Sequence, residues 1–82
     1  MTHHNSRADN ARMTAIKTLR KRFNVTQADM AEGMQCTQAN VSFYEQGQTV
    51  PPDKALLLIA YAKTLGYTIT YDDIYGPLKA VE

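Results

Sequence analysis

The stretch TQADMAEGMQCTQANVSFYEQG, residues 26–47, contains the same helix start twice, eleven residues apart. Thr26-Gln-Ala-Asp29 places a hydroxyl N-cap three residues before an acid, which is the capping-box pattern. Thr37-Gln-Ala-Asn40 opens with the same hydroxyl N-cap, and Gly47 is the residue type that often ends a helix. The stretch therefore predicts two helices of about eight to ten residues, joined by a short connection at residues 35–36.

The second of these predicted helices separates a core-facing side from a free side. On a helical wheel, one sector of about 140° holds Gln38, Ala39, Ser42, Phe43 and Gln46. Val41 and Tyr44 lie outside that sector, and we expect them to anchor the helix against Met30 and Met34 of the preceding one. Two short helices joined in this way are the sequence form of a helix-turn-helix.

Apolar residues at helical spacing predict one helix before this stretch and another after it. The earlier helix should begin at Asp9 or Asn10 and end at Asn24, because asparagine tolerates the left-handed conformation found at many helix ends. The later helix should begin at Pro52, a favourable first helical residue, and end near Gly66. Its apolar surface is broad, since it includes Leu56, Leu57, Ile59, Ala60 and Ala62.

The remaining segments complete the predicted domain. Residues 70–76 are consistent with a short fifth helix, whereas the alternating pattern of residues 66–71 favours a short strand as the competing prediction. Residues 1–8 are interpreted as a flexible N-terminal arm, and residues 77–82 as a C-terminal tail. The sequence thus predicts an all-α fold, a compact four- to five-helix domain over residues 9–76.

The composition excludes several classes of protein. Hydrophobic residues at 44% and charged residues at 21% are typical of a globular domain and not of a disordered chain. The longest apolar run, residues 55–62, is too short to span a bilayer, and the N-terminus lacks an apolar signal core. Cys36 is the only cysteine, which excludes an intramolecular disulfide and favours a cytoplasmic protein.

The charged and reactive side chains give no indication of catalysis. No nucleophile and base pattern, glycine-rich phosphate loop or spaced pair of carboxylates stands out, so we expect no enzymatic activity, cofactor or small-molecule ligand. His3 and His4 are adjacent but lack further ligands nearby, and a metal site is not expected. The net charge of +1 is low for a nucleic-acid binder, so composition by itself does not indicate DNA.

The spacing of particular residues is more informative than the composition. The informative positions are Thr26-Gln27, Met30-Ala31, Thr37-Gln38, Val41-Ser42, Tyr44-Glu45, Gly47, Pro51-Pro52 and Ile59-Ala60, with Ile16, Leu19 and Arg20 upstream. At these offsets the chain resembles the phage repressor and Cro type of helix-turn-helix transcriptional regulators, the lambda-repressor-like or XRE family. The resemblance covers roughly residues 15 to 75.

The resemblance implies a DNA-binding domain whose second motif helix, the recognition helix, enters the major groove of double-stranded DNA. Base contacts are implied for Gln38, Ala39, Ser42 and Phe43. Gln38 is suited to a bidentate contact with adenine, whereas Ala39 and Phe43 can pack on thymine methyl groups. Phosphate contacts are implied for Gln27, Thr37, Gln46, Gln48, Thr49 and Lys54.

The resemblance also implies contacts that hold the motif together. Arg20 and Glu45 correspond to a partly buried salt bridge between the first helix and the recognition helix, and Gln27 corresponds to a residue that braces Gln38. The chain departs from the family pattern at Gln35, where glycine is usual. Gln35 must therefore adopt a left-handed conformation or bend the turn differently.

The predicted function is that of a Cro-like repressor of a phage, prophage or mobile element. We expect a homodimer that binds a palindromic operator, because one recognition helix reads too few base pairs for useful specificity. The apolar surface of the fourth helix and four tyrosines place the expected dimer contact in residues 61–82, the tyrosines being Tyr61, Tyr67, Tyr71 and Tyr75. Alternatives are an antitoxin or restriction-modification controller of the same fold, or a module that uses the motif to bind a protein.

Overall fold

The computed structural model describes residues 14–76, and these residues form five α-helices without a β-strand. The helices are α1 (Ala15–Phe23), α2 (Gln27–Met34), α3 (Gln38–Glu45), α4 (Pro52–Thr64) and α5 (Tyr71–Tyr75). The prediction of an all-α helix-turn-helix fold is therefore confirmed. The competing strand over residues 66–71 is not formed: residues 65–70 connect α4 to α5, and Tyr71 begins α5.

Local capping chemistry sets most of the helix ends at the predicted positions. The Thr26 hydroxyl accepts the Asp29 N–H at 3.0 Å, and the Asp29 carboxylate accepts the Thr26 N–H at 3.1 Å, which completes the capping box of α2. Thr37 caps α3 in the same way by accepting the Asn40 N–H at 3.1 Å. Asn24 ends α1 in the left-handed conformation, with φ 60°.

The predicted start of α1 was wrong. This helix begins at Ala15 instead of Asp9 or Asn10, because Thr14 has an extended backbone and its hydroxyl accepts the Lys17 N–H at 3.3 Å. Apolar spacing by itself cannot locate such a start, because the spacing of apolar residues does not show at which residue the helix begins. The predicted arm at residues 1–8 and the tail at residues 77–82 lie outside the described residues.

The turn between α2 and α3 contains Gln35 in the left-handed conformation, with φ 57° and ψ 49°. Of the two geometries expected for a non-glycine residue here, the chain adopts the left-handed one. This conformation costs a residue with a side chain roughly 1–2 kcal/mol. Lys54 of α4 donates a hydrogen bond from Nζ to the Gln35 carbonyl oxygen at 2.9 Å, which satisfies that oxygen at the helix end.

One hydrophobic core joins the five helices. Helix α1 packs against α3 and α5, while α2 packs against α3 and α4. The core residues are Ile16, Leu19, Phe23, Met30, Ala31, Met34, Val41, Tyr44, Val50, Ala55, Leu58, Ala62, Ile69 and Ile74. Helix α4 buries only part of its apolar surface, since the side chain of Leu56 is 56% exposed.

Candidate nucleic-acid interface

Helix α3 has a buried face and an exposed face. Val41 and Tyr44 are buried in the core, as the helical wheel predicts. Phe43, which lies between them in sequence, is 47% exposed. The other residues of the predicted sector are exposed or half-buried, namely Gln38, Ala39, Ser42 and Gln46. The structure therefore places the predicted base-contacting side chains together on one outer face of α3.

A chain of side-chain hydrogen bonds supports the N-terminal end of this face. Gln38 donates from Nε2 to Oε1 of Gln27 at 3.4 Å, and Gln27 donates from its own Nε2 to Oε1 of Glu45 at 3.0 Å. Gln27 is the first residue of α2, and through these two bonds its amide connects the first residue of α3 to the last. The structure thus brings Gln27 and Gln38 together as the resemblance implies, and it extends the contact to Glu45.

Arg20 and Glu45 form an ion pair between α1 and the end of α3. Nε of Arg20 donates to Oε2 of Glu45, and Nη2 donates to Oε1 at 3.4 Å. A further hydrogen bond runs from Nη1 of Arg20 to the Val25 carbonyl oxygen at 3.2 Å. The Glu45 side chain is 7% exposed and the Arg20 side chain is 20% exposed, so water screens this pair only in part.

The acidity of Glu45 reflects its surroundings. Burial by itself raises the pKa of this carboxyl group, because it disfavours the charged form. Hydrogen bonds from Arg20 and Gln27, together with the positive charges of Arg20 and Lys17, outweigh burial and leave the pKa below its ordinary value. Glu45 is therefore held as a carboxylate at neutral pH, in the state that accepts both donors.

The residues predicted to contact phosphate occupy different positions around this face. Thr37 lies exposed at the start of α3, and Gln48 and Thr49 lie exposed in the loop that follows it. Gln46 donates from Nε2 to Oγ of Ser42 at 3.2 Å. Lys54 uses its ammonium group on the turn between α2 and α3, through its bond to Gln35. Contact between any of these side chains and phosphate stays a prediction.

The sequence did not identify Thr14 as part of this arrangement. The Thr14 hydroxyl donates to the main-chain carbonyl oxygen of Glu45 at 3.1 Å and also caps α1. The available signal was a hydroxyl residue just before an apolar helical pattern, which is a common N-cap. The predicted helix start at Asp9 or Asn10 concealed it, because a residue inside a helix is not an N-cap.

Two tyrosines assigned by sequence to a dimer contact have roles within the fold. The Tyr67 hydroxyl donates to the Arg22 carbonyl oxygen at 3.1 Å, and its ring lies 4.8 Å from the ring of Phe23 between centroids. The Tyr75 hydroxyl donates to the Val50 carbonyl oxygen, although 45% of the Tyr75 surface remains exposed. These bonds attach the C-terminal part of the domain to α1 and to the loop after α3.

Residues 14–76 show neither a metal site nor a membrane-spanning helix. There is no group of three or more histidine, cysteine, aspartate or glutamate side chains suited to a metal ion within that range. In the same part of the chain, no helix combines the length and the apolar character needed to cross a membrane. The histidines His3 and His4 lie outside the described residues.

Comparison with known proteins identifies the family of the segment that contains α2 and α3. A family model described as helix-turn-helix matches residues 16–71, which is more than half of the chain. No curated protein and no solved structure matches the chain. The matched range includes both helices of the motif, the Arg20–Glu45 pair and the exposed face of α3. The chain therefore belongs to the XRE-type helix-turn-helix family, a family of DNA-binding transcriptional regulators.

Proposed function

We propose that this protein is a sequence-specific repressor that reads double-stranded operator DNA with the outer face of α3. The observation that supports this function best is the exposure of Phe43. Phe43 is 47% exposed, whereas Val41 and Tyr44 of the same helix are buried. Helix α3 therefore packs on the core through Val41 and Tyr44, and Phe43 is not needed for that packing. An exposed aromatic ring beside polar side chains is typical of a binding surface.

The chemistry of this face suits a major groove. Gln38 at the first position of α3 can make a bidentate hydrogen bond to adenine, and Gln27 restrains its amide. Ala39 and Phe43 cannot hydrogen-bond to a base but can contact the methyl group of thymine. We therefore propose that each half-site of the operator contains an adenine that Gln38 recognises by hydrogen bonds and a thymine whose methyl group contacts Ala39 or Phe43. Gln27, Thr37, Gln46, Gln48, Thr49 and Lys54 are the proposed phosphate contacts.

Selection of binding sites from random double-stranded DNA tests this function. We expect the wild-type protein to select a defined sequence, with an affinity that falls steeply as salt rises. Gln38→Ala and Phe43→Ala should each change the preferred base at one position and weaken binding by about 5- to 150-fold, since a good base contact discriminates by about 1–3 kcal/mol.

Leu56→Ala is the matched control for this selection. It also removes an exposed apolar side chain, but from α4 and not from α3, so the selected sequence should not change. If neither Gln38→Ala nor Phe43→Ala altered the preferred sequence, this assignment of the recognition face would be wrong.

We further propose that the protein acts as a Cro-like homodimer on a palindromic operator. Two recognition helices about 34 Å apart would read two half-sites one helical turn apart. Leu65, Tyr71 and Tyr75 are exposed, and the rings of Tyr71 and Tyr75 are stacked with their centroids 6.3 Å apart. This apolar surface in the C-terminal third supports the proposed contact within residues 61–82.

Sedimentation measures this self-association directly. We expect a dimer at high micromolar protein concentration or on operator DNA, and Tyr71→Ala should shift the equilibrium toward the monomer. A monomer with and without operator DNA would contradict the dimer. Antitoxins and restriction-modification controllers of this fold would share the proposed DNA contact and differ in the genes they control.

The charge of the described domain favours a second candidate, a module that binds another protein through the same motif. Residues 14–76 contain six basic side chains and six acidic ones, and Arg20 is already paired with Glu45. Such a module would bind random and selected DNA equally poorly, with little dependence on salt. The selection experiment therefore distinguishes the two candidates.

A further inference from the structure

One hydroxyl group connects the start of α1 to the end of α3. Oγ1 of Thr14 accepts the Lys17 N–H at 3.3 Å and so caps α1. The same oxygen donates its proton to the main-chain carbonyl oxygen of Glu45 at 3.1 Å. A hydroxyl can make both bonds at once, because it has one donor and two acceptor sites. The connection joins residues that are 31 positions apart in sequence.

This bond acts at a point where α3 needs an outside partner. Glu45 is the last residue of α3, and the last carbonyl groups of a helix have no N–H partner within it. Thr14 supplies that partner from the N-cap of α1, while the Glu45 side chain is held by Arg20 of the same helix. The end of α3 is thus attached to α1 through two groups of Glu45, the main-chain carbonyl oxygen and the side-chain carboxylate.

We propose that Thr14 is a positioning residue for the recognition helix, because its bond to the Glu45 carbonyl oxygen sets the orientation of α3 relative to α1. This inference rests on the proposed DNA contact of α3, in which Thr14 itself touches no DNA. Gln38 and Phe43 lie on the same short helix, so a change in its orientation displaces both side chains together. A binding surface is most effective when neighbouring residues fix the element that carries it.

Substitutions at Thr14 separate the helix cap from the bond to Glu45. Thr14→Ser retains both functions. Thr14→Gly and Thr14→Asp retain most of the capping but lack the hydroxyl donor. Aspartate adds a charge and glycine does not, so agreement between these two variants excludes a direct effect of charge on DNA binding.

Thr26→Gly is the matched control, because it removes the same hydroxyl from another N-cap. The Thr26 hydroxyl accepts the Asp29 N–H and makes no bond to α3 among the described residues. We expect this variant to leave the end of α3 as it is in the wild type.

Amide hydrogen exchange of the DNA-free, full-length chain tests the bond itself. The N–H groups of Gln46, Gly47 and Gln48 bond to carbonyl oxygens of α3, so their exchange reports on the stability of its end. We expect exchange at these three amides to be about fivefold faster in Thr14→Gly and Thr14→Asp, and unchanged in Thr14→Ser. Unchanged exchange in the first two variants would overturn the proposal.

Affinity for the DNA sequence selected by the wild type tests the consequence. We expect Thr14→Gly and Thr14→Asp to weaken binding by about two- to tenfold at equal salt, which corresponds to one hydrogen bond. Thr14→Ser should bind as the wild type does. Faster exchange without weaker binding would show that Thr14 stabilises α3 but does not position it for DNA. A wild-type protein that selects no sequence would contradict the proposed function, and exchange would then decide alone whether Thr14 fixes α3.

Discussion

Glu45→Ala is expected to lower the free energy of unfolding by about 3 kcal/mol, at the lower end of the range for breaking a buried ion pair. The substitution leaves the Arg20 guanidinium without its carboxylate in a partly buried position, and the 20% exposure of Arg20 moderates the cost. It also removes the acceptor of the Gln27 amide. Because small domains are stable by only about 5–15 kcal/mol, urea unfolding should show a large shift of the midpoint.

Two variants separate the ion pair from a general effect of losing a carboxylate. Glu32→Ala removes an exposed glutamate from α2 and should change stability by less than about 0.5 kcal/mol. The double variant Arg20→Met with Glu45→Leu should recover most of the loss, because apolar residues can replace a buried pair at little cost. If Glu45→Ala were as mild as Glu32→Ala, the pair would not stabilise the fold.

The same pair makes stability depend on pH. In the folded protein the pKa of Glu45 lies below its ordinary value of 4.5, so the ionised form is favoured by folding. This contribution is complete above the pKa of the unfolded chain and is lost as pH falls through the lower pKa of the folded state. We expect the wild type to lose more stability than Glu45→Gln on acidification below about pH 4.5, as measured by thermal unfolding.

The features that sequence predicted well depend on local chemistry. Thr26 and Thr37 were identified as helix caps because a cap involves only residues within one turn of the chain. The exposure of Phe43 followed from helical periodicity, since Val41 and Tyr44 fix the buried side of α3. The Arg20–Glu45 and Gln27–Gln38 contacts came from the family resemblance and not from spacing, because each joins two different helices.

The features that sequence missed depend on how the helices cross. The bond from Thr14 to Glu45 and the bond from Lys54 to Gln35 link residues of different elements, and no periodic pattern indicates which side chain meets which carbonyl group. Tyr67 has an apolar ring suited to an interface, yet its hydroxyl bonds to a carbonyl group of α1. Partner choice of this kind is set by tertiary packing, which local propensity does not determine.

Gly33 is a further residue whose role depends on tertiary packing. Gly33→Ala should change the free energy of unfolding in a direction that depends on whether Tyr61 is present. Gly33 lies in α2, where the ring of Tyr61 from α4 packs directly on its backbone. A Cβ atom at this position would overlap Cγ and both Cδ atoms of that ring. These atoms are close to the tyrosine main chain, so the clash cannot be relieved by moving the end of a flexible side chain, and α2 must shift away from α4.

In the wild-type background, Gly33→Ala is therefore expected to lower the free energy of unfolding by about 1–3 kcal/mol, the usual cost of overpacking. In a Tyr61→Ala background the overlap is absent, and alanine becomes the better helix former by about 1 kcal/mol. The same substitution should then raise stability. Urea unfolding of the four proteins in this double-mutant cycle measures the reversal.

Gly47→Ala provides the contrast that isolates the cause. Gly47 has φ 111° and open space around the position of a Cβ atom, so alanine there is disfavoured by backbone conformation and not by a neighbour. Its cost should be the same with and without the Tyr61 ring. A cost of Gly33→Ala that was equally independent of Tyr61 would mean that the close approach of α2 and α4 does not require glycine. A reversal of sign confined to Gly33 would show that packing against Tyr61 outweighs helix propensity at this position.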